Sequence, residues 1–459
     1  MSAPAALWLR RDLRRSDLPA LGAAAAAGDG SVAPLFVMDP ALLSGAGRVR
    51  RTWLARSLEA AVRSYDGALH VRVGDPRVVV PAFAQEVGAG SVHVSRETTP
   101  FGVRRDAAVS EVLAGGGVRF VPTGTPYAVG PGLVTKSDGE PYKVFTPFLR
   151  AWREHGWPAP AVEPDGLSLV GPTKTQARER DSALADLDEQ DLDVDLPDAG
   201  EEAALRRWRE WRAAGGLTAY ATDRDRPDRD GTSMLSAHLK IGSIHPRTLL
   251  ADLDGEAGPG AETFAVELAW REFYADVLWH NPTSAWTDLR PTLIGMAYDD
   301  AGDQFEAWQQ GCTGYPIVDA GMRQLLATGW MHNRVRMIVA SFLTKDLHIW
   351  WPLGAQHFMD HLVDGDLASN SHGWQWVAGT GTDASPYFRV FNPVTQGLKF
   401  DPDGDYVRRW VPELRHLDGK SAHEPWRVPN GYTQGYPECI VDHAEERQEA
   451  LGRLAAVTK

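Results

Sequence analysis

The chain of 459 residues has little cysteine, no long apolar run and fewer basic than acidic residues. Its two cysteines, Cys312 and Cys439, are far apart, so a disulfide framework is not expected and a reducing cytoplasm is the natural compartment. No apolar run approaches the roughly 18 residues that a membrane-spanning helix needs. The N-terminal segment soon becomes charged and lacks a signal-peptide layout. Composition therefore predicts a cytoplasmic protein without a membrane segment.

The excess of acidic residues gives a formal net charge of −14, which by itself argues against a polyanionic partner. However, the segment from Asp181 to Glu202 holds ten acidic residues and neither lysine nor arginine. Most of the net negative charge therefore belongs to one segment. A locally basic face elsewhere, and with it binding to nucleic acid, remains compatible with the sequence.

The first 125 residues alternate between short apolar runs and helical patterns. The runs cover 5–10, 32–38, 69–73, 91–94 and 118–121, and helical stretches such as 51–65 and 104–114 lie between them. Strands that alternate with helices predict a doubly wound parallel sheet, whose ligands bind beyond the carboxyl ends of the strands. The dinucleotide fingerprint G-x-G-x-x-G does not follow the first strand. We therefore expect an α/β domain over 1–125.

The remainder of the chain divides into a connector and a helical region. Proline, glycine and then aspartate dominate 126–202, where one helix is predicted over 146–155. We expect an interdomain linker there, with an acidic part that is a solvated or mobile face. Beyond it, helical spacing recurs through 205–214, 263–279, 304–310, 317–328 and 333–347. The predicted fold class is thus α/β plus all-α, with a helical domain over 203–459.

Two segments suit a large, flat, phosphate-bearing ligand. In GTSMLSAHLK the hydroxyls lie at the start of a predicted helix, where side-chain oxygens and unpaired backbone N–H groups can bind a phosphate; a plain helix cap is the alternative. In VELAWREFY, residues Glu267, Trp270, Arg271 and Tyr274 share one helix face. These side chains are unusual in an apolar core and suit the wall of a polar cavity.

Two further segments combine polar and aromatic groups. In WMHNRVRM, four pocket candidates cluster on about one turn, although a buried helix with a polar start is also possible. In DGDLASNSHGWQW, a flavin would use a carboxylate to accept from its N–H edge and an amide near N5, whereas paired acid–base carboxylates are a weaker interpretation. His357 and His361 have the i, i+4 spacing of zinc ligands, but no third ligand is evident, so we expect no metal.

Together these motifs resemble the photolyase/cryptochrome family, and within it the class I cyclobutane pyrimidine dimer photolyases. The resemblance rests on RRDLRRSD, GEPYKVFTPFLRAW, WREFY, TGYPIVDAGMRQL, WMHNRVRM, DGDLASN and GWQW in that order, and it covers nearly the whole chain. It implies a monomeric enzyme that repairs UV-damaged DNA. Excited reduced FAD would donate an electron to a flipped-out dimer, and the protein would supply position and a suitable environment.

The resemblance also assigns individual residues. FAD would contact Tyr220, Thr232, Ser233, Leu235, Ser236 and Arg271 on its phosphate side, and Arg336, Asp364, Asp366 and Asn370 around its ring system, with Arg336 paired to Asp364 and Asn370 facing N5. The substrate would contact Arg226, Glu267, Trp270, Asn333, Arg334, Met337, Trp376 and Arg389, with Glu267 bonding the thymine edge. The indoles Trp308, Trp351 and Trp374 would pass electrons from the surface to the flavin; core packing is their alternative role. Met234 stands where family members often carry a longer polar residue.

A second chromophore is implied as well. Lys240 and the segment ETTPFGVRRD resemble the deazaflavin-binding members, so we expect 8-hydroxy-5-deazaflavin in contact with Arg50, Glu97, Arg105 and Lys240. Methenyltetrahydrofolate is the alternative pigment.

The main functional alternative is a blue-light photoreceptor of the cryptochrome type. Asn370, Met337 and Trp376 match the repair-type pocket and argue against it. Asn333 occupies the position where (6-4) repair enzymes have a histidine, which disfavours that activity. A light-independent flavin oxidoreductase would need a nicotinamide site, and the sequence indicates none.

Overall fold

The computed structural model describes residues 3–189, 191–382 and 388–457 of the chain. Within them, the N-terminal region is a six-stranded parallel sheet surrounded by helices. The strands are β1 Ala5–Leu9, β2 Ser31–Met38, β3 His70–Val73, β4 Ser91–Val94, β5 Arg119–Pro122 and β6 Ser168–Leu169. The first helices are α1 Pro19–Ala27, α2 Pro40–Leu43, α3 Arg48–Ser64, α4 Pro76–Glu86 and α5 Pro100–Gly115. The predicted α/β class is confirmed.

Strand β1 shows why this region folds as a covered sheet. All five of its residues are buried. Leu7 and Leu9 belong to an apolar core on one face, whereas Ala6 and Trp8 belong to a core on the other face. Because side chains alternate along a strand, a strand covered on both faces needs a continuous apolar run rather than alternation.

The order of the strands creates a crevice. The sheet runs β3-β2-β1-β4-β5, so the chain winds outward from β1 on one side and then crosses to β4 on the other. The connections that follow the neighbouring strands β1 and β4 therefore run in opposite directions, and ligands bind at such switch points. Arg10 and Arg11 directly follow β1, and Glu97 follows β4. The topology thus brings these three charged side chains to the same edge of the sheet.

The segment 126–202 is more ordered than the sequence indicated. It contains the predicted helix, α6 Phe145–His155, and also α7 Lys174–Leu187 and strand β6, which pairs with β2. Its acidic part is not simply solvated, because Glu189 pairs with Arg48 and Arg51 of α3. Helix α7 was missed because its charged composition hides the few residues, such as Leu184, that it buries.

The helical region contains α8 Glu201–Ala213, α9 Gly216–Asp223, α10 Ser236–Ile241, α11 Pro246–Leu253, α12 Pro259–His280, α13 Asp303–Gln310, α14 Pro316–Thr328, α15 Asn333–Lys345, α16 Trp351–His361, α17 Leu367–Ala378, α18 Pro393–Phe400, α19 Asp405–Trp410 and α20 His443–Val457. Short 3-10 helices cover Pro282–Ala285, Pro291–Leu293, Pro412–Leu414, Gly419–Ala422 and Pro425–Arg427. Helix α12 contributes to one apolar core, and α14, α15 and α17 contribute to a second. The expected helical domain is confirmed. In the part of the chain that the structure describes, no helix is both long and apolar enough to cross a bilayer.

Glycines allow the sheet region and the helical region to approach closely. Gly242 ends α10 with φ of +80°, and a Cβ atom there would collide with the backbone of Arg11. Gly47 precedes α3, and a Cβ atom there would collide with the backbone of Asp360 at the end of α16. Only glycine has no Cβ and adopts positive φ without a penalty. The first approach places Arg11 beside α10, and the second places the start of α3 beside the end of α16.

Candidate functional site

The carboxylate of Asp366 lies at the centre of a charged cluster between the two regions. It caps α17 by accepting from Ser369 N at 3.1 Å, and it pairs with Arg11 Nη2 at 2.8 Å and Lys240 Nζ at 3.3 Å. Burial alone would raise the pKa of Asp366, but Lys240, Arg11 and Arg271 outweigh it and hold the pKa well below its ordinary value. Asp366 is therefore ionised at neutral pH and can accept a further hydrogen bond from a ligand N–H group.

Two residues expected at the second chromophore, Glu97 and Lys240, are linked through Arg11 and Asp366. Arg11 Nη1 lies 3.9 Å from Glu97 Oε1, and its Nε and Nη1 atoms have no hydrogen-bond partner among the described residues. Burial would raise the pKa of Glu97, but Arg11, Arg105 and Arg10 lower it to about 2. Burial lowers the pKa of Lys240 to about 8. Arg11 was not among the predicted residues, although its position directly after β1 was the available signal.

The other two residues expected at that chromophore, Arg105 and Arg50, lie near this cluster. Arg105 Nη2 donates to Asp106 Oδ1 at 2.7 Å, and its guanidinium lies 4.9 Å from the centre of the Trp8 ring. Arg50 donates to Gly45 O at 3.3 Å, and burial lowers its pKa. Both guanidinium groups thus have partners within the protein. Arg105 helps to lower the pKa of Glu97, and Arg50 helps to lower the pKa of Lys240.

Arg336 and Asp364 form the expected ion pair. Arg336 Nη2 lies 2.8 Å from Asp364 Oδ2, and Arg336 Nε donates to Met331 O at 2.8 Å. Asp364 is buried, and its Oδ1 atom accepts no hydrogen bond from the described residues. A buried carboxylate oxygen without a donor is costly unless a ligand supplies one. This oxygen and the ionised Asp366 together fit the N–H and hydroxyl groups of a bound FAD.

One face of α17 runs from this cluster into the core. Asp366, Asn370 and Trp374 are separated by four residues each, so they lie on the same side of the helix. Asn370 Nδ2 donates to Ala355 O at 2.9 Å, which fixes the orientation of the amide. A flavin near Asp366 and Asn370 would therefore have the Trp374 indole as its inner neighbour.

Most of the residues expected on the phosphate side lie on α9 and at the start of α10. Helix α10 begins at Ser236 with Leu235 as its cap, directly after Thr232 and Ser233, and Tyr220 lies on α9. Met234 adopts φ of +56°, a left-handed conformation that turns the chain before the helix.

Arg271 contacts the backbone on two sides. Its two terminal nitrogens donate to Pro126 O and Leu239 O at 3.0 Å each, and its guanidinium lies 4.5 Å from the centre of the Tyr127 ring. The guanidinium therefore holds the start of the linker against α10 in this structure.

The expected substrate residues Glu267 and Arg334 come from different helices and meet at the end of α9. Glu267 pairs with Arg224 at 2.7 Å, and Arg334 pairs with the adjacent Asp225 at 2.9 Å. Burial raises the pKa of Glu267, although Arg224 opposes the shift. Arg224 and Asp225 were not predicted from the sequence, because a charged pair after a helix carries no signal of its own.

Aromatic and N-terminal contacts fix the neighbouring side chains. The ring of Trp270 stacks on Phe145 of α6 with centroids 3.6 Å apart and an interplanar angle of 10°. Asn333 is the first residue of α15, and His332 caps that helix by accepting from Arg334 N at 3.2 Å. Burial lowers the pKa of His332 to about 4, so its imidazole is neutral and can accept.

The remaining substrate candidates differ in exposure. Met337 and Trp376 are half-buried and pack against the second helical core. Arg389 is exposed. Arg226 is held by Asp228, with Arg226 Nε 2.7 Å from a carboxylate oxygen. A DNA phosphate would have to compete with that carboxylate for Arg226.

The indoles Trp308, Trp351 and Trp374 belong to one core. The rings of Trp308 and Trp374 cross at 69° with centroids 6.1 Å apart. A Cβ atom on Gly354, one turn after Trp351, would collide with the ring of Trp374. The electron path through these indoles was expected to start at a surface-exposed member. That expectation is wrong, because none of the three is more than 3% exposed. Periodicity could not show this, since exposure depends on distant segments.

Comparison with known proteins covers the whole chain. A family model described as DNA photolyase matches residues 5–165, and a model described as the FAD binding domain of DNA photolyase matches residues 264–456. The deoxyribodipyrimidine photo-lyase of Streptomyces griseus is 40% identical, with 95% of this chain and 96% of the relative covered. That of Halobacterium salinarum is 38% identical, with 97% of both covered. The crystal structure of a bacterial class III photolyase from Agrobacterium tumefaciens has a TM-score of 0.87 at 38% identity, covering 100% of this chain and 98% of that one.

Proposed function

This chain belongs to the DNA photolyase family, and on that premise we propose that it repairs cyclobutane pyrimidine dimers in UV-damaged DNA with light and FAD. The observation that carries this function is the similarity to enzymes named deoxyribodipyrimidine photo-lyase. They are about 40% identical to this chain over nearly its full length. A cryptochrome-type photoreceptor is the alternative, and no observation favours it over repair.

We propose the following tasks for the protein's own residues. FAD, when bound and reduced, supplies a light-excited electron donor. Asp366 would accept from its ring, Asn370 would contact it from the next turn of α17, and the Arg336–Asp364 pair would lie beside it. Thr232, Ser233, Leu235 and Ser236 would bind the phosphate side, together with Tyr220 and Arg271.

The substrate groups would act at the end of α9. Glu267 would exchange Arg224 for the polar edge of a flipped pyrimidine dimer. Trp270, already fixed by Phe145, and Trp376 would stack on that dimer. Asn333, Arg334 and Met337 would complete the pocket, while Arg226 and Arg389 would bind phosphates. Damaged bases stack poorly, so their extrusion costs less than that of an intact pair.

We further propose the class I, deazaflavin-binding subtype. The cluster of Arg11, Glu97 and Lys240 at the switch point of the sheet supports a planar, hydrogen-bonding second chromophore, with Arg50 and Arg105 nearby. Methenyltetrahydrofolate is the alternative, and class III is the alternative subtype. The absorption spectrum of pigment released from the purified protein distinguishes the two pigments: a folate band without a deazaflavin band contradicts the proposed pigment.

The compartment, the oligomeric state and the domain limits are proposals as well. We propose that the protein is a cytoplasmic monomer, with an antenna domain over 1–125, a linker over 126–202 and a FAD- and DNA-binding domain over 203–459. Light scattering during size-exclusion chromatography would test the monomer.

The decisive experiment follows dimers in irradiated DNA. The purified full chain with reduced FAD should remove them under blue light and leave them unchanged in the dark. A photoreceptor of this fold would bind FAD yet leave the dimers intact under both conditions, which would contradict the proposal.

A further inference from the structure

The three core indoles differ in what accepts their N–H hydrogen. Trp308 Nε1 donates to the backbone oxygen of Val339 at 3.0 Å. Trp374 Nε1 is buried and has no hydrogen-bond partner among the described residues. Trp351 Nε1 instead donates to a carboxylate oxygen, Asp288 Oδ1, at 2.7 Å. Of the three, Trp351 is therefore the one whose indole contacts an acceptor that can hold a proton.

The loop that carries Asp288 is fixed against α17. Gln375 accepts from Leu289 N at 2.7 Å and donates to Ser284 O at 2.7 Å, so one amide holds both ends of the loop. Gln375 is fully buried and directly follows Trp374. The carboxylate of Asp288 is therefore held at Trp351 by the same helix that carries the neighbouring indole.

Asp288 also faces the outside of this core. It is half-buried, whereas Trp351 is fully buried. The phenol of Tyr298 faces it too: burial and the charge of Asp288 raise the pKa of Tyr298 to about 12, so that side chain stays neutral. The carboxylate thus has one side toward the indole and one side toward solvent.

We propose that Asp288 is a positioning residue. It makes Trp351 the indole that stays oxidised after light has driven an electron to FAD. The inference rests on the proposed function and on the electron path through Trp374 that the family resemblance implies. One electron leaves Trp351 toward Trp374. The N–H bond of Trp351 then breaks, its proton moves to Asp288 Oδ1, and a neutral indole radical and a carboxylic acid remain. A soluble thiol later returns the electron, and the proton moves back from Asp288.

The physical reason is the difference in charge between the three surroundings. A carboxylate at hydrogen-bond distance stabilises positive charge on an oxidised indole far more than a neutral carbonyl does. Transfer of the proton then removes the charge that would attract the electron back. Among the described residues, neither Trp308 nor Trp374 has a carboxylate as its acceptor, so the oxidised state settles on Trp351.

Flash photolysis of the purified full chain with oxidised FAD and a thiol tests this. Cation and neutral indole radicals have different absorption spectra, so the proton transfer is visible. In the unaltered protein we expect a neutral radical with a solvent deuterium isotope effect, and Trp351→Phe should remove it. Asp288→Asn should leave a cation radical that recombines, with about a tenfold lower yield of reduced FAD, equivalent to about 1.4 kcal/mol.

The controls separate proton transfer from packing. Asp288→Glu should restore the neutral radical, and Asp300→Asn, on an exposed residue nearby, should behave like the unaltered protein. Equal deprotonation rates with and without Asp288, or no isotope effect in the unaltered protein, would overturn the inference. Repair by the unaltered protein with chemically reduced FAD does not need Trp351, so its failure would refute the proposed function separately.

Discussion

Lys240 and Asp366 are 126 positions apart in the chain, yet Lys240 Nζ lies 3.3 Å from Asp366 Oδ2. One residue was expected at a second chromophore and the other at FAD. Arg11 contacts the same carboxylate and also faces Glu97. The two proposed chromophore sites therefore share one network of charges between the sheet and the helices.

Removing the acid of that network should destabilise the protein. Asp366→Asn would leave Arg11 and Lys240 partly buried without their carboxylate, a change that costs about 2–4 kcal/mol after allowing for residual exposure. Chemical denaturation of the protein without cofactors measures this directly. Asp165→Asn, on an exposed loop, is the matched control. Equal unfolding free energies for both variants would contradict the central role of Asp366.

Glu267→Gln should weaken binding of dimer-containing DNA by about tenfold, as expected when a charged hydrogen bond of about 1.5 kcal/mol is lost. FAD content should not change, because Glu267 pairs with Arg224 and not with the FAD residues. Binding to irradiated and unirradiated duplexes measures the effect. Glu262→Gln on the same helix is the control, since Glu262 is exposed. Loss of FAD in Glu267→Gln would show that Glu267 belongs to the FAD site and that its assignment to the substrate pocket is wrong.

Lys345→Met should change how stability depends on pH. Lys345 is buried, and burial lowers its pKa to about 7. Between about pH 7 and 10.5 the unfolded chain holds this proton more tightly than the folded one, so the stability of the unaltered protein rises with pH in that range.

The variant should therefore be more stable than the unaltered protein below pH 7, by about 2 kcal/mol, although it loses the contact of Lys345 with the Phe388 ring. This advantage should vanish toward pH 10. Denaturant unfolding at both pH values checks it. Lys420→Met, at an exposed position, should show no such trend, and a constant difference for Lys345→Met would contradict the assigned cause.

Gly242→Ala should destabilise the protein by weakening the packing between the sheet region and the helical region. A positive φ costs about 1–2 kcal/mol for alanine, and the collision with the backbone of Arg11 adds to that cost. Gly67→Ala provides a close match, because Gly67 has φ of +80° but open space around its Cβ position. The unfolding free energy should fall more for Gly242→Ala than for Gly67→Ala. Equal losses would mean that the close approach contributes nothing.

Local properties of the chain were predictable from the sequence. Five of the six strands and the longer helices, such as α3, α12 and α15, were predicted from apolar periodicity, whereas β6 was not. These features depend on residues within a few positions of each other. For the same reason α7 escaped prediction, because the residues that bury it lie in the distant helix α3 and strand β3.

The sequence by itself thus determined the order of the elements, the family and the composition of each polar helix face. Only the tertiary structure decided which charges meet: Lys240 with Asp366, Arg224 with Glu267, and Asp288 with Trp351. It also decided that Trp308 and Trp351 are buried. Partners that come from remote parts of the chain are chosen by packing, and neither spacing nor propensity records that choice.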